Sequence, residues 1–288
     1  MSQIKLAGIR REIKYSPNHV EADAMIFDLT VRHLVEMGYE VKEYTETEFI
    51  SREMSELVVF GMVRSKAAID KLKILEDNGK IIVNSGFGIE NCTRERMTRL
   101  LLENDIPHPR SIIVRTTEDP FDVLSGLNIP AYWVKRGDFH ALQSEDISYV
   151  ENIMDVRHVL EEFALRGIPN AVINEHLDGD LVKLYGVAGT DFCYYFYPSD
   201  QNYSKFGHEI KNGTAKYFPF SKDELKAAFD KAADVLNVKI YGGDCIVSKD
   251  GSFRIIDFND WPSFASCRNE AAPKIAESIH KEIVTKLK

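Results

Sequence analysis

Short apolar runs alternate with segments of helical periodicity in the first ninety residues. Four such runs predict β-strands, at residues 4–9, 39–44, 57–63 and 80–84. Apolar positions at helical spacing predict helices at residues 25–37 and 66–76. Because strands that alternate with helices usually form a parallel sheet, this region is expected to be a largely parallel α/β unit.

The rest of the chain has a different pattern, with more strands and fewer helices. A helix over residues 93–104 precedes Ile106-Pro107-His108-Pro109, a stiff connection into a new lobe. Further strands are predicted at residues 112–114, 131–135, 171–176, 181–188 and 192–197. Helices are predicted at residues 153–165, 221–236 and 273–286, the second of them capped by Ser221 and Glu224. Strands at 244–248 and 253–258 flank Lys249-Asp250-Gly251 and predict a hairpin.

Composition narrows the class of protein. A chain of 288 residues with 44% hydrophobic and 28% charged residues is expected to form two or three globular lobes. The net charge of −9 argues against a nucleic-acid binder. No apolar run is long enough to span a membrane and no signal peptide is visible, so we expect a cytoplasmic protein. The four cysteines are too widely spaced for a zinc site or a disulfide framework.

The predicted C-terminal hairpin carries the sharpest chemical pattern. Asp257 and Asn259 are two residues apart in a strand, so both face the same side, and an antiparallel partner can bring Asp244 beside them. Two carboxylates and an amide oxygen are the hard ligands that Mg²⁺ takes when it also holds nucleotide phosphates. The simpler alternative is that Asp257 and Asn259 only turn the chain before Trp261-Pro262.

Several charged residues at strand ends could line a binding cleft. Lys135 and Lys183 could contact phosphates, and Glu175 and Asp180 could bind a ribose or an adenine amino group. Further candidates for an anionic pocket are Arg10, His19, Arg64, Lys205, His208, Lys211, Asn212, Ser263 and Arg268. Taken singly, each of these is more often an ordinary surface residue.

The order of these segments resembles the ATP-grasp superfamily. The series runs from Arg94 through Lys135, the segment Glu175-His176-Leu177-Asp178-Gly179-Asp180 and Lys183 to Gly243-Asp244 and Ile256-Asp257-Phe258-Asn259. That superfamily includes carboxylate–amine ligases similar to glutathione synthetase and ribosomal-protein glutamate ligase, and also inositol phosphate kinases. The resemblance implies a mixed α/β and α+β ATP-grasp fold. Its parts would be a Rossmann-like pre-ATP-grasp domain at 1–90, a central lobe at 91–172 and a C-terminal lobe with the metal site at 173–288.

The resemblance also implies cofactors and residue roles. ATP and Mg²⁺ would bind between the lobes, with Asp244, Asp257 and Asn259 as the metal set. Lys135 and Arg94 would contact phosphates, Glu175, His176 and Leu177 would surround adenine, and Asp180 would bind the ribose. Lys183 would lie near the γ-phosphate or the acceptor, and Asn212 near the metal, so that Arg94, Lys183 and Asn212 are the implied catalytic residues.

Two segments depart from the pattern of the superfamily. Many members have a glycine-rich loop after the position of Lys135, whereas residues 136–143 contain a single glycine, and His140 or Arg136 could take over phosphate contact. D-alanine ligase-like members have an arginine shortly before the first metal aspartate, but residues 239–244 read Lys-Ile-Tyr-Gly-Gly-Asp.

Three functions remain open from the sequence. The leading one is an ATP-dependent ligase that converts a carboxylate into an acylphosphate for attack by an amine. The second is a small-molecule kinase acting on a polyol phosphate, as inositol phosphate kinases do, and the third is a non-catalytic nucleotide-binding regulator. In the first two, the partners are small molecules, with no nucleic acid and no membrane, and a homo-oligomer is left open.

Overall fold

A computed structural model describes residues 4–16, 19–139, 144–201 and 211–287. The N-terminal sheet is parallel, with strand order β2-β1-β3-β4. Its strands are β1 (Lys5–Ile9), β2 (Glu40–Tyr44), β3 (Val58–Gly61) and β4 (Ile81–Val83). Its helices are α1 (Val20–Glu36), α2 (Glu46–Ser51) and α3 (Lys66–Asp77). The predicted parallel α/β unit is confirmed.

Two helices, α4 (Gly86–Asn91) and α5 (Arg94–Glu103), lead into the central sheet, which is antiparallel with order β5-β8-β6-β7. Its strands are β5 (Ser111–Arg115), β6 (Tyr132–Arg136), β7 (Ile147–Val150) and β8 (Asn170–Glu175). Its helices are α6 (Phe121–Ser125) and α7 (Ile153–Leu165). The predicted domain boundary between residues 172 and 173 falls inside β8.

The C-terminal sheet is also antiparallel, with order β10-β9-β11-β12. Its strands are β9 (Asp180–Val187), β10 (Cys193–Phe196), β11 (Ile240–Val247) and β12 (Phe253–Asp260). Its helices are α8 (Lys222–Leu236) and α9 (Arg268–Lys286). The predicted hairpin is β11–β12, and Gly251 in its turn has a left-handed backbone with φ 84°.

The N-terminal sheet is joined to the C-terminal sheet by one apolar cluster. Phe60 of β3 stacks on Trp261, which follows β12, with ring centroids 6.3 Å apart. The buried Asn84 side chain accepts from the backbone N–H groups of Lys239 and Ile240, at 2.8 and 2.9 Å, and donates to the Ile240 carbonyl at 2.7 Å. Buried polar groups bonded in this way fix the relative position of the two sheets.

Local sequence patterns predicted most of the longer helices and strands, but several short ones were not predicted. The Ser221 hydroxyl accepts from the Glu224 N–H at the start of α8, as the sequence predicts. Helices α2, α4 and α6 and strand β7 had no predicted counterpart, because four to six residues carry too little periodicity. Among the described residues, no helix is long and apolar enough to cross a membrane.

Candidate active site

A cleft of about 680 Å³ lies between the central and C-terminal sheets, and its far end is lined by residues from the segments after β1 and β3 and from the start of α1. One wall is formed by Trp133 and Lys135 of β6, Ile147 of β7 and Asn174 of β8. The opposite wall is one face of β9, β11 and β12. The lining residues from that face are Leu181, Lys183, Tyr185, Gly242, Asp244, Ile246, Asp257 and Asn259.

Three charged side chains form a row across the second wall. Asp244 in β11 is paired in register with Lys183 of β9 on one side and with Asp257 of β12 on the other. The Lys183 ammonium donates to both Asp244 oxygens, at 2.8 and 3.1 Å. Opposite residues of antiparallel strands project from the same face. The sheet register therefore brings together three residues that the sequence places up to 74 positions apart.

Asn259 lies two residues beyond Asp257 on the same face, and its side-chain nitrogen donates to Asp257 Oδ2 at 3.3 Å. Since the nitrogen is the donor here, the amide oxygen is the atom of Asn259 that would bind a metal ion. No group of three His, Cys, Asp or Glu side chains suited to a metal occurs in the described ranges. Two carboxylates with one amide nevertheless fit Mg²⁺, which usually binds through one or two carboxylates plus substrate phosphates.

Two buried cations face this acidic pair. The Arg94 guanidinium, at the start of α5, lies 3.5 Å from Asp257 Oδ1, and its Nε has no hydrogen-bond partner within the described part of the chain. Lys135 Nζ donates to the Ile256 carbonyl at 3.3 Å. Burial, and then the charge of Arg94, lower the pKa of Lys135 to about 7. Within the described residues, Arg94 keeps an unbonded Nε and Lys135 makes a long hydrogen bond to a carbonyl, so a phosphate could supply acceptors to both.

The segment predicted to surround adenine does line the cleft, through Glu175, His176 and Leu177. The Glu175 carboxylate accepts two hydrogen bonds from Arg110, at 2.8 Å from the backbone N–H and 2.7 Å from Nε. The His176 Nδ1 accepts from the Trp133 indole at 3.1 Å, and burial lowers the pKa of His176. The imidazole is therefore neutral near pH 7 and carries its proton on Nε2.

Other predicted residues have three different outcomes. Asn212 lines the cleft and donates to the Leu177 carbonyl at 3.1 Å. Asp180 does not line it, because its buried carboxylate accepts from the N–H groups of Lys216 and Phe218, at 2.7 and 2.8 Å. His140, Lys205 and His208 lie outside the described residues.

The N-terminal sheet contributes cations to the far end of the cleft. Of the predicted residues, His19, Arg64 and Ser263 line it. Arg10 points elsewhere and bonds Glu43 through Nε at 2.8 Å, and Arg268 donates to the Ala265 carbonyl at 2.9 Å.

Sequence reasoning missed Arg11, Asp23, Trp133 and Tyr185, which also line the cleft. Arg11 directly follows β1, so the rule that ligands bind at the carboxyl ends of parallel strands applied to it as well as to Arg10. Successive side chains of an extended segment point to opposite sides, so only one of these two neighbours can face the cleft. The other three residues carried no distinctive local signal.

Close packing around Gly242 restricts the segment that precedes Asp244. Gly242 lies opposite Asn259 in β12 and Tyr185 in β9. A Cβ atom here would come within 2.8 Å of Pro262 Cγ and 2.9 Å of Tyr185 Cδ1. The floor of the cleft at this point therefore has no room for an arginine side chain.

Several solved structures have an architecture similar to that of this chain. A D-alanine–D-alanine ligase from Bacillus anthracis, in complex with ATP, aligns with a TM-score of 0.67 at 14% identity over 99% of each chain. The D-alanine–D-alanine ligase from Coxiella burnetii aligns with a TM-score of 0.70 at 11% identity, over 99% of this chain and 96% of that one. D-alanyl-alanine synthetase A from Vibrio cholerae O1 biovar eltor aligns with a TM-score of 0.69 at 11% identity.

No family model matches the chain, and no curated protein matches it significantly. The structural likeness covers nearly the whole of each chain, so this protein has the ATP-grasp fold of the D-alanine–D-alanine ligases. The resemblance and the fold class predicted from the sequence are confirmed. At sequence identities of 11–14%, this likeness shows the fold and does not show the substrate.

Proposed function

We propose that the protein is an ATP- and Mg²⁺-dependent ligase that activates a carboxylate as an acylphosphate and joins it to an amine. The observation that carries this proposal is the row Lys183–Asp244–Asp257, faced by Arg94 and Lys135 across the cleft. Two carboxylates surrounded by three cations suit a metal–polyphosphate complex, in which both signs of charge need partners.

One part of the cleft is apolar and the next is charged, which suits a nucleotide base followed by its phosphates. Leu181 lies two residues before Lys183 in β9, and Ile246 lies two residues after Asp244 in β11. The two are paired in register and form an apolar floor. Two residues in a strand span about 6.6 Å, so a base on this floor would direct its phosphates toward the charged row. Gly179, two residues after Leu177, lies against Ile246, so this segment is at the same apolar end.

The reaction needs no nucleophilic side chain. A carboxylate oxygen of the substrate attacks the γ-phosphorus, the bond to the bridging oxygen breaks, and ADP leaves. The amine then attacks the carbonyl carbon, the bond to the phosphate oxygen breaks, and inorganic phosphate leaves with the proton released by the amine. Arg94, Lys135 and Lys183 would hold phosphoryl oxygens while the charge on them changes, and the walls of the cleft would exclude water from the acylphosphate.

Asp244, Asp257 and Asn259 would hold Mg²⁺, which when bound neutralises phosphate charge and orients the β- and γ-phosphates. Support comes from the donor chemistry and from their shared face on β11 and β12. The acceptor would bind at the far end of the cleft, beside His19 and Ser263.

The test is to trap the acylphosphate. The protein is incubated with ATP, Mg²⁺ and a panel of carboxylates in hydroxylamine, which converts an acylphosphate into a hydroxamate while ADP is released. We expect hydroxamate with at least one carboxylate, and none with Asp257→Ala, whose fold is checked by circular dichroism. Hydroxamate formation at the full rate by Asp257→Ala would refute the metal assignment.

The same assay separates the kinase alternative. A polyol phosphate that releases ADP without hydroxamate would establish a kinase and overturn the ligase. The contacts of Arg11 and Arg64 weigh against this outcome, since both guanidiniums are already bonded to the chain around residues 260 and 261. Nucleotide binding without turnover on any acceptor would instead favour a regulator.

A further inference from the structure

Arg64 connects the N-terminal sheet to the end of the metal-bearing strand. It lies in the loop after β3, and its guanidinium forms a fork on one residue, Asp260. One nitrogen pairs with the Asp260 carboxylate and the other donates to the Asp260 carbonyl at 3.0 Å. Asp260 is fully buried, is the last residue of β12, and directly follows Asn259.

A second arginine holds the next peptide. Arg11 donates to the Trp261 carbonyl at 2.9 Å and to the Met62 carbonyl at 3.2 Å. The two consecutive carbonyls after Asn259 are thus each bonded to a guanidinium of the N-terminal sheet. Trp261 itself has a left-handed backbone with φ 25°, so the chain leaves the strand here by a sharp turn. Directional hydrogen bonds on both peptides hold that turn in one conformation.

The orientation of the Asn259 side chain depends on this turn more than the orientation of Asp257 does. Asp257 has a side-chain neighbour on β11, Asp244, and a cation, Arg94, within 3.5 Å. Asn259 faces Gly242, which offers no side chain, and within the described residues its side chain makes a single long hydrogen bond, to Asp257 at 3.3 Å. The direction of the Asn259 side chain is therefore set largely by the backbone that follows it.

We infer that Arg64 is a positioning residue for the metal site, acting through Asp260 on Asn259. This inference rests on the proposed function, because it takes Asn259 as a metal ligand. Lysine at position 64 keeps the charge but cannot form the fork, since its ammonium is a single point donor. Arg64→Lys therefore weakens the hold on Asn259 without leaving the Asp260 carboxylate buried and unpaired.

The experiment is a calorimetric titration of the full chain with a non-hydrolysable ATP analogue at a series of Mg²⁺ concentrations. We expect Arg64→Lys to raise the Mg²⁺ concentration for half-maximal binding by about fivefold or more, with binding in EDTA unchanged. Asn259→Ala should raise it further. The double variant should need no more Mg²⁺ than Asn259→Ala alone, because both changes remove the same ligand.

A matched control separates positioning from plain stability. Arg166 forms a similar fork in the central lobe, on the buried Asp146 carboxylate and the Glu145 carbonyl, and does not line the cleft. Arg166→Lys should lower the melting temperature to a similar extent and leave the Mg²⁺ requirement unchanged. Should Arg64→Lys fail to fold, Asp260→Asn replaces it, with the same expected rise in the Mg²⁺ requirement.

Three results would overturn the inference. A wild-type Mg²⁺ requirement in Arg64→Lys, with only the melting temperature lowered, would make Arg64 a stabilising contact alone. An additive effect in the double variant would show that Arg64 acts on something other than Asn259. Wild-type binding that ignores Mg²⁺ would remove the metal site itself, and with it both this inference and the metal dependence of the proposed function.

Discussion

Lys183 and Asp244 are hydrogen-bonded neighbours on adjacent strands, with Nζ 2.8 Å from Oδ2, although 61 residues separate them. Asp244 also faces Asp257 across β11 and β12, so it lies between a cation and a second carboxylate. Repulsion between the two carboxylates is offset by Lys183 on one side and by Arg94 on the other. The site without nucleotide is therefore already held by its own cations.

Replacing Lys183 by methionine should make the protein depend more on Mg²⁺ for stability. Loss of its bond to Asp244 is expected to cost about 1–2 kcal/mol in the free energy of unfolding. Mg²⁺ should restore much of this, so the metal-induced rise in melting temperature should be larger than in the wild type. Thermal unfolding in EDTA and in Mg²⁺ measures this rise in melting temperature. Lys183→Arg serves as the charge-preserving control. An equal or smaller rise would contradict the assigned arrangement.

Lys135→Ala should weaken ATP binding while sparing the fold. In the described part of the chain the buried ammonium makes one long hydrogen bond, to the Ile256 carbonyl, so its removal costs little stability. Loss of a charged contact to phosphate should lower the affinity by about tenfold to hundredfold, or about 1.4–2.8 kcal/mol. Calorimetry with an ATP analogue reports the affinity, and Lys135→Met separates lost charge from lost volume. Unchanged affinity in both variants would exclude Lys135 from the phosphate site.

His108 should make the fold sensitive to acid. Its Nδ1 bonds the Ile255 carbonyl at 2.6 Å, its Nε2 has no hydrogen-bond partner within the described ranges, and burial lowers its pKa to about 4. The unfolded chain, with a pKa near 6.5, binds the proton more readily. Stability from this group is therefore complete above pH 6.5 and is lost as the pH falls toward 4, by about 3 kcal/mol in all.

Urea unfolding at pH 7, 5.5 and 4.5 checks this expectation in the wild type and in His108→Asn. The asparagine amide can donate to the same carbonyl but does not titrate. The variant should lose distinctly less stability than the wild type over this pH range. Parallel losses in the two proteins would show that other groups cause the acid sensitivity.

Gly242→Ala should disturb the floor of the cleft. The new methyl group would meet Pro262 and Tyr185 at less than 3.0 Å, and such overpacking typically costs about 1–3 kcal/mol. Because Gly242 faces Asn259, the displacement should also lower turnover. Gly126→Ala is the matched control, since the nearest atom to its Cβ would be 3.6 Å away and its φ is −75°. Equal melting temperatures for the two variants would contradict this packing.

The sequence by itself determined the local pattern of the metal hairpin. Asp257 and Asn259 share a face because side chains alternate along a strand, and the turn at Lys249-Asp250-Gly251 makes the two strands antiparallel. The ordered series of motifs was enough to predict the ATP-grasp fold, since each motif keeps its place along the chain. These features depend on neighbours within about fifteen residues or on order alone.

Only the tertiary structure decided which partners these residues meet. Asp180 and Glu175 look alike at strand ends in the sequence, yet Asp180 is held by the N–H groups of Lys216 and Phe218, away from the cleft, and Glu175 by Arg110 at its edge. The fork from Arg64 to Asp260 spans 196 residues. Such contacts depend on sheet register and on how two lobes pack, and neither is encoded by the periodicity of any one segment.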